Sequence, residues 1–155
     1  MRRFLLLASH GLALALGFAL GIYMLPILTA PASPDAAMLS ERAGAATHTA
    51  EFTRDLRGSD FLHWGEGTIS LSPETIVHIG RLAPGPDYKV YLVPEFVDHE
   101  DGFGPLRERS VQVGDVKTFD GFILDMPDGI DIEAYTTVLI WCEAFDEFIT
   151  AARYR

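Results

Sequence analysis

Thr137-Val138-Leu139-Ile140-Trp141-Cys142 (TVLIWC) is the stretch of the chain that decides the fold. After the threonine every residue is apolar, and the charged Glu143 follows at once. A short apolar run of this kind, bounded by polar residues, predicts a central strand that is buried on both faces. The only cysteine of the chain, Cys142, ends this strand.

Similar short runs, rich in Val, Ile, Thr and aromatic residues, precede and follow this strand and are separated by Gly, Pro and Asp. Gly114-Asp115 is one of the turns that this pattern predicts, and residues 130–135 are expected to form one helical turn. About seven short strands predict an all-β domain, either a β-sandwich or a partly closed barrel. The predicted strands are residues 62–71, Thr75–Leu82, Tyr88–Val93, 110–113, 117–124, Thr137–Cys142 and 148–154.

The first part of the chain predicts a single N-terminal transmembrane helix. Residues 4–28 carry no charge, and a run of about 20 apolar residues crosses the hydrocarbon core of a bilayer. A cleaved secretory signal has a shorter apolar run, of about 7 to 15 residues, so we expect an uncleaved signal anchor. The small residues Ala30 and Ala32 leave cleavage as the alternative.

The charges around this helix predict its orientation. Arg2 and Arg3 precede the apolar run, and the first charge after it is Asp35. The positive-inside rule therefore predicts a cytoplasmic N-terminus and an extracytoplasmic body, periplasmic if the source is bacterial. Gly17 and Gly21 have the G-x-x-x-G spacing of helix dimers, which is only a weak indication of self-association.

We divide the chain into residues 1–28 as signal anchor, residues 29–50 as an Ala/Pro-rich linker with a loose stem helix in 38–49, and residues 51–155 as the folded domain. The chain has 12 basic and 22 acidic residues, so without Arg2 and Arg3 the body has a net charge of −12. Such a body repels phosphate backbones, and no nucleic-acid partner is expected. A single cysteine makes no internal disulfide, and no Cys/His cluster has zinc spacing.

Three segments are candidates for chemistry. Cys142 is either an inert core thiol or a working one, as a reactive thiolate or a cofactor ligand. His63 lies with Trp64 and Glu66 around two glycines, Gly65 and Gly67, and is either a structural histidine or part of a binding segment. Residues 98–101 resemble a cation site in composition only, and we interpret them as a solvated loop.

The segments together resemble a known family, the DM thirteen domain, a β-rich extracytoplasmic module proposed to take part in electron transfer. The resemblance covers residues 51–155, and its strongest part is Ile140-Trp141-Cys142 followed by a Phe and an Ala. The matching residues are Gly58-Ser59-Asp60-Phe61, His63, Gly67, Gly85-Pro86-Asp87-Tyr88, Val90-Tyr91-Leu92, Val113-Gly114, Ile140-Trp141-Cys142, Phe145, Phe148 and Ala151.

The resemblance implies that Cys142 is the family's characteristic cysteine, acting as a bare thiol or through a prosthetic group such as haem. The cofactor itself stays unknown, and we name Cys142 as the catalytic residue, with Cys142 and His63 as the cofactor-binding residues and no metal site. The leading hypothesis is a membrane-anchored redox module with a separate redox partner protein. The alternative is a non-catalytic binding or scaffold domain of the cell envelope with a structural cysteine. A stand-alone enzyme built around His63 and Glu66 is a third, weaker hypothesis.

Overall fold

A computed structural model describes all residues, 1–155, and begins with the long apolar helix that the sequence predicts. Helix α1 covers Arg2–Thr29, has Pro26 in its last turns and contains no buried residue. Its most apolar stretch has a mean hydropathy of 2.1, so α1 is long and apolar enough to be a membrane anchor or a signal sequence.

The segment after α1 joins the folded body earlier than the predicted start of the domain. Helix α2, Ala36–Ala43, begins at Asp35, whose carboxylate accepts a hydrogen bond of 2.8 Å from the amide of Met38. Leu39 of this helix is buried and lies against Gly121. Strand β1, His48–Phe52, then pairs with β2, so the last two residues of the predicted stem, 48 and 49, are sheet rather than helix.

Two antiparallel sheets of four strands form an open sandwich, which confirms the predicted all-β sandwich and removes the closed-barrel alternative. The first sheet has the order β1-β2-β3-β6 and the second β5-β4-β7-β8. The strands after β1 are β2 (Gly65–Leu71), β3 (Thr75–Leu82), β4 (Tyr88–Val93), β5 (Val111–Val116), β6 (Phe122–Asp125), β7 (Thr137–Cys142) and β8 (Glu147–Arg153).

Strands β3, β4 and β7 have the predicted bounds, whereas the turn predicted at Gly114-Asp115 is wrong. Strand β5 continues through both residues and pairs with β4. The register shift between Val90 and Tyr91 absorbs the irregularity in this ladder, and Lys89 Nζ donates to Asp115 Oδ1 at 2.9 Å across it. The helical turn expected in 130–135 is present as a 3₁₀ turn, Ile132–Ala134.

Strand β7 contributes to two separate hydrophobic clusters because its side chains alternate between the two faces of its sheet. Val138, Ile140 and Cys142 belong to the main core between the sheets. Leu139 and Trp141 belong to an outer cluster. All six residues of β7 are buried, as predicted for a central strand.

The outer cluster is covered by a short helix, α3 (Glu100–Phe103), and a 3₁₀ segment, Gly104–Arg109. The ring of Phe103 lies between Tyr91 and Trp141, with centroid distances of 5.0 and 4.8 Å. Arg107 lies over this cluster and forms two hydrogen bonds to the Glu143 carboxylate, of 2.6 and 2.7 Å. Aromatic contacts and an ion pair therefore fix the outer side of β7.

A buried histidine lies in the other sheet. His78 of β3 has 0% exposure. Its ring lies between Phe52 and Phe122, and Nε2 donates to the carbonyl oxygen of Glu66 at 3.1 Å, while Nδ1 has no partner. Burial lowers the pKa of His78, opposed by this hydrogen bond and by Glu51.

Candidate functional site

Cys142 is the last residue of β7 and lies where the sandwich opens into a cavity of about 300 Å³. Its side chain faces this cavity because Ile140 and Val138, two and four residues earlier, face the core between the sheets. The residue is only 2% exposed. The walls come from the loop before β2, the loop before β4, β8 and α1, and include Leu62, Pro84, Pro86, Tyr88, Phe145 and Ile149.

Two opposing effects act on the Cys142 sulfur. Burial raises the pKa of the thiol, whereas hydrogen bonds from the backbone amides of Phe145, Asp87 and Ala144 lower it, with a net increase. The amides of Ala144 and Phe145 reach the sulfur because the chain turns back after β7, with Asp146 at a φ of 55°. If a thiolate forms here, for example on binding to a metal, these backbone amides are already in place to stabilise its negative charge by hydrogen bonding.

His63, the second residue predicted to bind a cofactor, lines the same cavity as Cys142. Asp60 holds it in place, because Oδ1 accepts from the backbone amides of Leu62 and His63 at 2.7 and 2.8 Å and Oδ2 lies 3.1 Å from His63 Nδ1. No protein group bonds Nε2 of His63. A histidine with one nitrogen on a carboxylate and the other free has the arrangement common among metal ligands.

Asp60 stays ionised to support this arrangement. Its partial burial raises the pKa of the carboxyl group, but the two backbone amides and the His63 ring lower it more, so the net shift is downward. An ionised Asp60 favours a proton on His63 Nδ1 and leaves Nε2 as the nitrogen that carries a lone pair. Sequence reasoning missed this residue, although Asp60 stands in the motif that carries the family resemblance.

Tyr88 forms the wall of the cavity next to Cys142. Burial and the neighbouring thiol raise the pKa of its phenol, so the hydroxyl is neutral at ordinary pH. Gly85 makes room for the ring, because a Cβ at this position would contact Tyr88 Cε1, Cζ and Oη at overlapping distances. Sequence reasoning did not assign Tyr88 to the site, since only the fold brings the start of β4 beside the end of β7.

The remaining residues of the segments that the sequence named as candidates for chemistry lie outside this cavity. Arg54 stacks over Trp64 at 3.3 Å and forms a bidentate ion pair with Glu66, at 2.7 and 2.9 Å. Glu66 is therefore engaged on the surface and is not grouped with His63 in the cavity. In residues 98–101, His99 Nδ1 accepts from the amide of Gly102 and starts α3, so this segment caps a helix.

Comparison with protein families gives one match. Residues 56–154 match the family model described as "Electron transfer DM13". The chain belongs to the DM13 family. No curated protein and no solved structure matches the chain. The DM13 match covers most of the sandwich, including the Asp60-His63 loop, the Tyr88 wall and Cys142, whereas α1 and α2 lie before it.

A haem is one prosthetic group that the DM13 resemblance suggests beside the bare thiol, and the donor set of the cavity fits it in chemistry. Cysteine thiolate and histidine imidazole both bind haem iron, and the remaining walls are largely apolar. At about 300 Å³ the cavity is at the lower limit of cofactor pockets, which extend to about 1,000 Å³. Ala19, Ile22 and Tyr23 of α1 also line the cavity.

Proposed function

We propose that this DM13 protein is a membrane-anchored, extracytoplasmic electron-transfer module in which Cys142 carries the redox function as a cofactor ligand or as a thiol. One observation carries the proposal: the sulfur lies in an apolar cavity, with backbone amide donors around it, and the imidazole of His63 lines the same cavity. The anchoring part rests on α1 and on Arg2 and Arg3, which favour a cytoplasmic N-terminus.

The surroundings of Cys142 favour the ligand role over the bare-thiol role. Oxidation of a thiol to a disulfide releases two electrons and two protons and needs a second thiol, which this chain does not contain. A thiol from another protein has to reach a sulfur that is 2% exposed. A cofactor within the cavity avoids that approach.

In the ligand role, Cys142 and His63 are the residues that hold the prosthetic group. The group supplies a centre that takes up or releases one electron. The amides of Phe145, Asp87 and Ala144 then stabilise the thiolate, and Asp60 orients His63. The apolar walls exclude water and keep the local dielectric constant low, which strengthens both effects.

The competing function is a binding or scaffold domain with a structural cysteine. The specific observation in its favour is the burial of Cys142, which also raises the pKa of the thiol. In that case the cavity end of the sandwich binds no redox group, and Cys142 contributes only to packing.

The absorption spectrum of the purified full chain in detergent tests the proposal. We expect a visible or Soret-type band that shifts on reduction, is lost in Cys142→Ser and changes in His63→Ala. His99→Ala is the matched control, because His99 also lies beside a carboxylate but caps α3 away from the cavity. A chain without such a band, with a thiol that reacts only after unfolding, would contradict the redox function and favour the scaffold domain.

A further inference from the structure

Exposed apolar side chains surround the mouth of the Cys142 cavity. Phe61 is 85% exposed and Phe145 is 54% exposed, and Leu62 next to Phe61 lines the cavity together with Phe145. We call Phe61, Leu62 and Phe145 the apolar rim. Large side chains exposed in a group beside a cavity mark a surface that contacts something apolar.

The contacts of α1 give the direction in which this rim faces. Ala19, Ile22 and Tyr23 lie on the cavity, and the helix from Ile22 to Thr29 also passes beside Phe145. Pro26, Thr29 and the following residues 30–31 then lie along Val116, Lys117 and Phe119. Farther along, Ala32 and Pro34 contact the region of Thr118 and Phe122. The chain that leaves the helix therefore runs over the domain away from the cavity, and the cavity is the part nearest to the apolar body of α1.

The length of α1 places the bilayer boundary at the cavity. The helix has 28 residues, and about 20 of them cross the hydrocarbon core. Counted from Arg2, which stays in water, the core ends near Gly21. Ala19 is the first residue of the helix that lines the cavity, so the cavity mouth lies beside α1 at the level where the helix leaves the bilayer. Tyr23 stands at the depth that interfacial aromatic residues prefer.

The connection after α1 keeps the domain at this level. Only residues 30–35 separate α1 from α2, a span of about 20 Å when fully extended. Four of these residues, Ala30, Pro31, Ala32 and Pro34, lie on the domain surface, and Leu39 of α2 is buried in it. The domain therefore lies directly at the end of its anchor.

We propose that the apolar rim docks on the lipid surface of the bilayer, so that the mouth of the Cys142 cavity faces the membrane. This inference rests on the anchoring part of the proposed function and adds the surface that binds lipid. The body has a net charge of −12, so the attraction is apolar and is strongest for uncharged lipid surfaces.

Spin labels on the full chain in phosphatidylcholine vesicles test the docking. In a Cys142→Ser background, single labels are placed at Phe61→Cys, Phe145→Cys, Phe96→Cys and Leu12→Cys. Phe96 is the matched control. It is a 37% exposed aromatic residue that follows β4, at the end of the β5-β4-β7-β8 sheet opposite the cavity. Leu12, in the middle of α1, reports whether the anchor is inserted. Collision with oxygen, which concentrates in lipid, is compared with collision with a water-soluble nickel chelate.

We expect the labels at 61 and 145 to lose collision with the nickel chelate, like the label at 12, while the label at 96 keeps it. Added anionic lipid should restore part of the nickel collision at 61 and 145. If position 12 is in lipid but 61 and 145 collide with nickel as freely as 96, the docking is disproved and the anchor stands. If position 12 is itself in water, the anchor fails. Spin–spin broadening at 61 would assign the rim to a second copy of the chain and overturn lipid docking.

Discussion

Neighbouring residues of β7 face opposite surroundings. Cys142 points between the sheets, among apolar side chains and backbone amides, at the one end where the core opens into a cavity. Trp141 points outward beneath Phe103 and Arg107, whose guanidinium lies 5.7 Å from the indole and pairs with Glu143. The outer side thus holds the strand with aromatic and ionic contacts, while the inner end remains available for chemistry.

The largest effect is expected from Phe103→Ala on the outer side. The ring is fully buried between Tyr91 and Trp141, so its removal leaves a cavity and should lower the free energy of unfolding by about 3 to 5 kcal/mol. Chemical denaturation of the full chain in detergent measures the loss. Phe61→Ala is the control, because its 85% exposed ring should change stability by less than about 0.5 kcal/mol. Equal losses for the two variants would show that the outer layer does not hold β7.

Acid should weaken the sheet opposite β7 through His78. Because burial lowers the pKa of His78 in the folded chain, the unfolded chain binds a proton first. The contribution is fully present above the unfolded pKa of about 6.5 and is lost as pH falls from there toward the folded pKa, by at most about 1.4 kcal/mol per pH unit. The free energy of unfolding between pH 7 and 5.5 measures this slope.

The variant His78→Gln identifies the source of that slope. Glutamine keeps a donor for the Glu66 carbonyl oxygen but does not titrate, so the slope should flatten. Carboxylates with lowered pKa, such as Asp60 and Asp115, lose their contribution only at more acidic pH. An unchanged slope in the variant would assign the acid sensitivity to another group.

The sequence predicts the individual strands better than it predicts which residues lie together at the cavity. Strands β3, β4 and β7 are bounded by Pro, Gly or Asp clusters or a charged residue, and their bounds agree with the prediction. Strand β1, His48–Phe52, was missed because its pattern of small and polar residues is also that of a stem. Its only fully buried side chain is Phe52, so the pattern gives little sign of a sheet face.

The candidate site shows the same limit. Cys142 was predicted from its strand and from the family resemblance, and His63 from its segment with Trp64 and Glu66, but no spacing rule places the two on one cavity. Tertiary pairing does so, because β4 lies between β5 and β7 and brings the Pro84–Tyr88 side beside the end of β7. Asp60 was missed because its role is visible only from the hydrogen bonds that orient His63.

A smaller effect is expected from the ion pair over Trp141. Arg107 and Glu143 are only partly buried, so solvent screens their attraction, and a double-mutant cycle of Arg107→Met and Glu143→Gln should give a coupling of about 1 kcal/mol. The same cycle built on Arg109 and Glu95, a more exposed pair, should give a smaller value. If the two coupling energies are equal, the position of Arg107 over the aromatic cluster does not strengthen its ion pair with Glu143.

The smallest effect on stability is expected at Cys142 itself. In Cys142→Ser the hydroxyl oxygen replaces the sulfur as acceptor for the amides of Phe145, Asp87 and Ala144, so the free energy of unfolding should fall by less than about 1 kcal/mol. Because the outer contacts remain, β7 keeps its place while the redox signal disappears. A loss as large as that of Phe103→Ala, with an unchanged absorption spectrum, would mean that the thiol is needed for packing, and the inner end of β7 would then be structural like the outer side.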